Sequence, residues 1–270
     1  VLAAPAAAGV VFQPEVIAGA LVAFTAFCLA ASGSYYLNDA MDVEADRLHP
    51  RKRHRPVASG LIPVPVALAV AVVLLVASIG VAALTGRSAL VGAIFVYVLL
   101  TISYSLWLKH LPVIDIMVVA AGFIIRAAAG GFATGVELSD WFLIVASFGA
   151  LFIVVGKRHA EIEALGGGGG AHRAVLEAYA PEFTRHVLAV ASGITMIAYC
   201  LWAFEAGADM VSGLWHTFSI VPFVAVLLRY SMLVHGGEGG EPEEILLKDR
   251  GLQIMGLVWI ALLAAAIRLG

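Results

Sequence analysis

The sequence predicts an all-α, polytopic membrane bundle of the intramembrane type, and two observations carry that prediction. The first is composition: 61% of the 270 residues are hydrophobic and 13% charged, with a mean hydropathy of +0.97, which excludes an ordinary soluble domain. The second is the grouping of the apolar residues into runs of roughly 16–23, the length that crosses about 30 Å of hydrocarbon at a helical rise of 1.5 Å per residue. In lipid each backbone amide must be satisfied within its own segment, so such runs are helices. One membrane domain over residues 1–270 follows. A net charge of -3 on a chain made largely of membrane spans gives no reason to expect a nucleic-acid partner.

Taken in order, the predicted spans are 14–36, 63–85, 88–107, 113–134, 138–156, 184–204, 214–233 and 252–269, eight whole helices. Residues 1–9 lack the basic start of a signal peptide and read as the end of a ninth, earlier helix. His49-Pro50 stops the first whole helix, because the residue before proline avoids the α region. Pro63 and Pro65 are tolerated in a first helical turn. Cys28 and Cys200 fall inside apolar helices and read as buried thiols with no disulfide. The five glycines at 166–170 follow no strand and precede no Gly-Lys-Ser/Thr, so they form no P-loop; they read as a tether that lets residues 173–179 lie along the membrane surface. Residues 236–240 repeat the pattern before the charged entry to the last helix.

The connections alternate in charge. Those near Gly86, Gly135 and Gly207 are short and carry Arg87 among Glu137, Asp140, Glu205 and Asp209. The opposite face carries Arg47, Arg51, Lys52, Arg53, Arg55, Lys109, Lys157, Arg158, Arg173, Arg185, Lys248 and Arg250, twelve of the sixteen Lys and Arg residues. By the positive-inside rule that face is cytoplasmic, where phosphorylated and nucleotide-derived substrates are found.

The most informative stretch runs from Asn38 to Gly60 on this face. It sets Asp39, Asp42, Glu44 and Asp46 against Arg47, Arg51, Lys52, Arg53 and Arg55. If the first helix continues to Leu48, Asp39, Asp42 and Asp46 share one stripe at i, i+3 and i+7, spread over roughly 10 Å. Three acids near a helix C-terminus oppose the macrodipole, and a bound cation resolves the conflict. Carboxylates and the Asn38 carbonyl are hard ligands suited to Mg²⁺, which takes one or two protein carboxylates and fills its shell with water and substrate phosphate. The basic block would hold the remaining phosphate charge; the plain alternative is a solvated, self-neutralising loop.

Other polar residues converge on the same face. Tyr104, Ser105 and Lys109 line a phosphate pocket or, equally, snorkel at the interface while Asp115 caps the next helix. Arg126, at mid-span, must face the interior, with Asp115 or a substrate anion as partner. Lys157 and Glu161 lie one turn apart and form either a second anion clamp or an i,i+4 ion pair. His110, His172, His186, His216 and His235 have no metal-ligand spacing.

Asn38-Asp39-x-x-Asp42-x-x-x-Asp46, the basic loop ending Arg55-Pro56, Tyr104-Ser105 with Lys109, and the helical array resemble the UbiA superfamily of intramembrane prenyltransferases across essentially the whole chain. That resemblance implies nine helices and a cytosolic Asp-rich pocket in which Mg²⁺ holds a diphosphate. The string His49-Pro50-x-Lys52-x-x-Arg55-Pro56-x-Ala58-Ser59-Gly60, with Lys157-Arg158-x-x-Glu161, looks more specifically like the mycobacterial branch that moves phosphoribose from phosphoribosyl pyrophosphate to decaprenyl (polyprenyl) phosphate for cell-wall arabinan. Where many prenyltransferases carry a second Asp-rich motif, this chain has Glu161 and Glu163 among Lys157, Arg158 and His159.

The resemblance then implies roles. Asp39 and Asp42, with Asn38 and Asp46 assisting, hold Mg²⁺; Lys52, Arg55, Lys157 and Arg158, with Tyr104 and Glu161 beside them, meet the donor phosphates; Lys109 orients the lipid phosphate. The site faces the cytoplasm from a bacterial plasma membrane, and a homo-oligomer is left open. Two other readings stay open: a prenyltransferase moving a polyprenyl group from its diphosphate to an aromatic ring, and a cation-linked transporter. A transporter should carry paired mid-membrane charges on several broken helices, and only Arg126 is so placed.

Overall fold

Apolar runs that satisfy their own backbone become long helices, and the computed structural model consists of helices joined by short connections over residues 1–48, 52–165, 178–206, 210–238 and 242–269. In chain order they are α1 (Ala3–Ala7), α2 (Pro14–Met41), α3 (Val43–Leu48), α4 (Val64–Ala83), α5 (Ser88–Leu106), α6 (Ile114–Thr134), α7 (Asp140–Leu165), α8 (Pro181–Ala206), α9 (Met210–Leu233), α10 (Pro242–Lys248) and α11 (Arg250–Leu269). Eight of them, α2, α4–α9 and α11, are long and apolar enough to cross a bilayer. They match the eight predicted spans, and the protein is a multi-pass membrane protein. His49, Pro50, the glycines at 166–170, Arg173 and most of the predicted surface segment lie outside the described residues.

Two helices run furthest past their predicted apolar spans. α2 runs past residue 36 to Met41, and α7 runs past residue 156 to Leu165, carrying Lys157–Glu163 as helix and not as loop. Hydropathy marks where a helix leaves hydrocarbon, and both helices continue beyond that level. Pro63 is the N-cap of α4 and Pro65 lies in its first turn, as expected.

The described residues form two compact units, one of Val1–Leu138 and the other from Ser139 onward. In the first, α2 packs against α4, α5 and α6 through small residues: Ala23, Ala26, Phe27 and Ala30 meet Leu75, Ala82, Leu90, Ile94, Tyr97, Ala129 and Ala133. Lipid tails are as apolar as these side chains, so close packing rather than water exclusion holds such helices together. Gly33 makes this explicit, since a Cβ there would stand 2.9 Å from Leu75 Cγ and 3.0 Å from the Ala71 carbonyl oxygen. In the second unit α7 packs on α8, and α9 on α8 and α11. Its centre is a directed hydrogen-bond chain. Ser219 Oγ donates to the His216 carbonyl at 2.6 Å, so Tyr199 OH donates to Ser219 Oγ at 2.7 Å, and Trp259 Nε1 donates to Tyr199 OH at 2.7 Å. Phe223 stacks on Tyr199 with ring centroids 3.8 Å apart.

The cysteines are free, and Cys28 is exposed on α2 while Cys200 is half-buried, so the reading of both as buried thiols is corrected.

Candidate active site

The Asp-rich stretch departs from one continuous stripe. α2 ends at Met41, Asp42 takes the C-cap at φ −97° and ψ 9°, and α3 restarts at Val43. Hydrogen bonds still cross the step, Asp42 N–H to the Asn38 carbonyl at 2.9 Å and Asp46 N–H to the Asp42 carbonyl at 2.8 Å. The expectation of helix through Leu48 is therefore corrected: the acids share an end of α2 but occupy two helices.

The loop behind α3 folds back onto them. Arg55 N–H donates to the Lys52 carbonyl, Ser59 N–H to the Arg55 carbonyl and Ile62 N–H to the Pro56 carbonyl, each at 2.9 Å. Val57 and Ala58 are buried, Val57 against Ala40, Ala67, Tyr36 and Val64, and Arg47 Nε donates to the Ala58 carbonyl at 3.1 Å. This packing fixes Arg55, whose Nη1 donates to both Asp39 Oδ1 and Asp46 Oδ2 at 2.9 Å. The Asp46 side chain is 5% exposed and that of Arg55 38%. Lys109, on the 3₁₀ turn Leu108–His110 after α5, is buried and donates to Asp42 Oδ1. Each acid of the motif thus has a cation. Glu44, by contrast, is exposed and pairs with Arg47.

Around this core, Asn38, Lys52 and Tyr104 are half-buried, and Asp115 is fully buried in the first turn of α6, where a carboxylate favours the helix N-terminus. Val113, just ahead of it at the N-cap of α6, holds φ +68°, a strained value for a β-branched residue. Arg126 does not pair with Asp115. Its Nη2 donates to Tyr97 OH at 3.1 Å and its guanidinium lies over the Tyr97 and Phe123 rings at 5.2 and 4.9 Å, because the neighbouring helix presents an aromatic there.

In the second unit Lys157, Arg158, His159 and Glu161 lie on the last turns of α7. Of the two readings of Lys157 and Glu161, the i,i+4 ion pair does not form: Arg158 Nη1 donates to Glu161 Oε2 at 2.7 Å, an i,i+3 pair, and Arg158 is 4% exposed. His159 is fully buried. Thr184 Oγ1 donates to the Pro181 carbonyl at 3.0 Å, so His159 Nδ1, 2.8 Å from that oxygen, is the donor. Its Nε2 lies 3.3 Å from Glu163 Oε1 without hydrogen-bond geometry.

Among the described residues no three His, Cys, Asp or Glu side chains gather tightly enough to cage a metal. The donor set is still the right chemistry for Mg²⁺, which needs only one or two protein carboxylates when substrate phosphate supplies the rest. Asp39 and Asp42, with hard oxygens at the end of α2, fit that requirement.

One feature escaped the sequence reading. A pocket of about 210 Å³ opens beside Asp39, lined by Ser32, Tyr35, Tyr36, Asp39, Pro56 and Val57. Its four α2 residues stand at i, i+3, i+4 and i+7, one face of the helix, and that spacing was the available signal.

Close relatives are aligned along nearly the full chain. A decaprenyl-phosphate phosphoribosyltransferase of Mycobacterium tuberculosis is 46% identical over 275 residues, covering 100% of this chain and 90% of that protein. One of Corynebacterium glutamicum is 45% identical over 271 residues, covering 99% and 82%. A solved UbiA homolog from Archaeoglobus fulgidus, bound to GPP and Mg²⁺, has the same fold, with a TM-score of 0.72 at 22% identity over 98% of this chain and 94% of that one. The UbiA prenyltransferase family model matches residues 1–248, and the chain belongs to that family.

Proposed function

We propose that this protein transfers the 5-phosphoribosyl group of phosphoribosyl pyrophosphate to a polyprenyl phosphate, decaprenyl phosphate by the names of its relatives, and releases pyrophosphate. The reading rests on the near-full-length identity of 45–46% to proteins named for that transfer. One geometric observation supports it. Among the described residues Arg55 bonds through Nη1, to Asp39 and Asp46, and its Nε–H and Nη2–H₂ fork would take a phosphate.

In the reaction a phosphate oxygen of the lipid forms a bond to ribose C1 while the C1–O bond to pyrophosphate breaks, and the electron pair leaves with pyrophosphate. No proton is removed, because a phosphate monoester with a second pKa of about 6 is largely dianionic at neutral pH. Asp39 and Asp42, helped by Asn38 and Asp46, would hold Mg²⁺, which when bound supplies positive charge against the leaving group. Arg55 and Lys52 would take donor phosphate oxygens, and Tyr104 would add a hydroxyl. Lys109 is kept near Asp42 and would orient the lipid phosphate. Lys157 and Arg158 are assigned to donor phosphate on their charge, with Glu161 holding the Arg158 guanidinium in place. The basic face that carries these residues is assigned to the cytoplasm by the positive-inside rule.

The test incubates purified protein with Mg²⁺ and radiolabelled phosphoribosyl pyrophosphate, with and without polyprenyl phosphate. Lipid-extractable label that needs both substrates and disappears with EDTA is expected. No lipid label with both substrates present would refute the assignment.

A further inference from the structure

We infer that the pocket beside Asp39 is the subsite for the sugar ring of the donor, and that the Ser32 and Tyr35 hydroxyls select a polyhydroxylated ring there. This rests on the phosphoribosyl reading above and goes beyond it by naming what recognises the sugar.

Hydroxyl bookkeeping carries the inference. Thr25 and Ser34 on the same helix spend their hydroxyls one turn back, on the Leu21 carbonyl at 2.9 Å and the Ala30 carbonyl at 2.8 Å, as serine and threonine in membrane helices do. Ser32, Tyr35 and Tyr36 make no such bond among the described residues, and all three line one pocket. Three hydroxyls without a bond among the described residues, gathered on one face of α2 beside Asp39, suit an occupant that brings its own donors and acceptors. An isoprenoid chain would leave them unsatisfied; a ribose ring would not.

Position and size agree. The pocket's polar end is Asp39, which Arg55 holds at 2.9 Å, so a ring seated there would have its pyrophosphate-bearing carbon toward the Asp39–Arg55 pair. Pro56 and Val57 give an apolar wall for the ring face. At about 210 Å³ the space is below the roughly 300 Å³ at which drug-sized ligand sites begin, and suits one sugar ring with its substituents.

The experiment measures binding, so it does not depend on turnover. Ribose 5-phosphate and inorganic pyrophosphate are titrated separately into purified protein with Mg²⁺, for wild type, Ser32→Ala, Tyr35→Phe and the double variant. Tyr35 is 73% exposed, and its change to Phe removes one oxygen without disturbing packing. Each single variant is expected to weaken ribose 5-phosphate about threefold to tenfold, as loss of one hydrogen bond does, and to leave pyrophosphate unchanged. The same variants should raise KM for phosphoribosyl pyrophosphate and not for polyprenyl phosphate. Unchanged ribose 5-phosphate binding, equal weakening of pyrophosphate, or a change confined to the lipid KM would overturn the subsite. Failure of wild type to transfer label to lipid would instead refute the proposed reaction, and the two titrations would still decide whether the pocket recognises the sugar.

Discussion

Arg55→Met tests the centre of the site, because one guanidinium nitrogen holds two carboxylates. In the wild type Nη1 reaches Asp39 and Asp46 at 2.9 Å each, and the Asp46 side chain is 5% exposed. Methionine keeps much of the stem's apolar volume and removes the charge, leaving Asp46 buried without that cation and beside Asp39. Breaking a fully buried pair costs about 3–5 kcal/mol, whereas a surface pair is worth about 0–1 kcal/mol. Arg55 is 38% exposed, so solvent screens part of the interaction and the loss falls between, at about 2 kcal/mol. For a chain of this size that lowers the melting midpoint by about 4–8 °C. Asp46→Asn alone should cost less, since Arg55 keeps Asp39, and the double variant should recover part of the loss through a coupling of about 1 kcal/mol. Thermal unfolding in detergent with and without each substitution reads these values, and steady-state kinetics should show KM for phosphoribosyl pyrophosphate rising more than KM for the lipid. A melting point within about 1 °C of wild type, far inside the shift that a 2 kcal/mol loss implies, or strictly additive single and double variants, would refute the shared-cation account.

The remaining predictions are briefer. Asp42→Asn should abolish turnover while the fold survives, and Glu44→Gln, at an exposed side chain paired to Arg47, should change the rate little; both are read by initial rates over a Mg²⁺ titration. Lys157→Ala should raise KM for the soluble donor more than for the lipid, and the reverse pattern would show that the two substrates are misassigned. Hydrogen bonding from Arg229 at 2.7 Å holds the Asp249 carboxyl below its ordinary pKa. Its contribution to stability is therefore complete above the unfolded pKa of about 3.9 and lost as pH falls through the lower folded value. Asp249→Asn should melt earlier than wild type at pH 7, with the gap closing below about pH 4, the unfolded carboxylate value, in a pH series of melting curves. Polyprenyl diphosphate with a hydroxybenzoate or naphthoate should give no product, and His159→Ala should leave phosphoribosyl transfer by the folded protein within about tenfold, or 1.4 kcal/mol of barrier; prenylation lost in His159→Ala or Glu161→Gln would reverse the choice of acceptor.

The spans were legible because crossing hydrocarbon leaves a long apolar signature, and the eight helices fall where that signature lies. Their ends were less so. Residues 157–163 are charged and read as loop, yet α7 carries them as helix, because its backbone ladder continues in water once started in lipid. The chemistry of the site was legible as residue types and its pairing was not. Spacing allows Glu161 to meet Lys157 at i,i+4 or Arg158 at i,i+3; burial of Arg158 at the helix end makes the second pair the one formed. Arg55 reaches back sixteen residues to Asp39 through a loop whose fold depends on burying Val57. No local pattern encodes that turn. Ser32, Tyr35 and Tyr36 were hidden for the opposite reason, since a few hydroxyls inside a 28-residue apolar helix do not break its hydropathy.

The same geometry bears on which acceptor the site can use. An aromatic ring must shed a proton on substitution and so needs a positioned base within about 3 Å of it. His159 and Glu161 are the candidates near Lys157. His159 has its Nδ1 proton committed to Thr184, whose own proton is committed to Pro181, and its only basic nitrogen, Nε2, is enclosed beside Glu163. Glu161 is engaged by Arg158 at 2.7 Å, which occupies one of its oxygens. At the Asp-rich end Asp39, Asp42 and Asp46 are each engaged by Arg55 or Lys109. Among the described residues each of these groups already has a partner, which makes it a poor positioned base for an aromatic acceptor. A phosphate acceptor needs no such base, since it arrives ionised and attacks without a proton to lose.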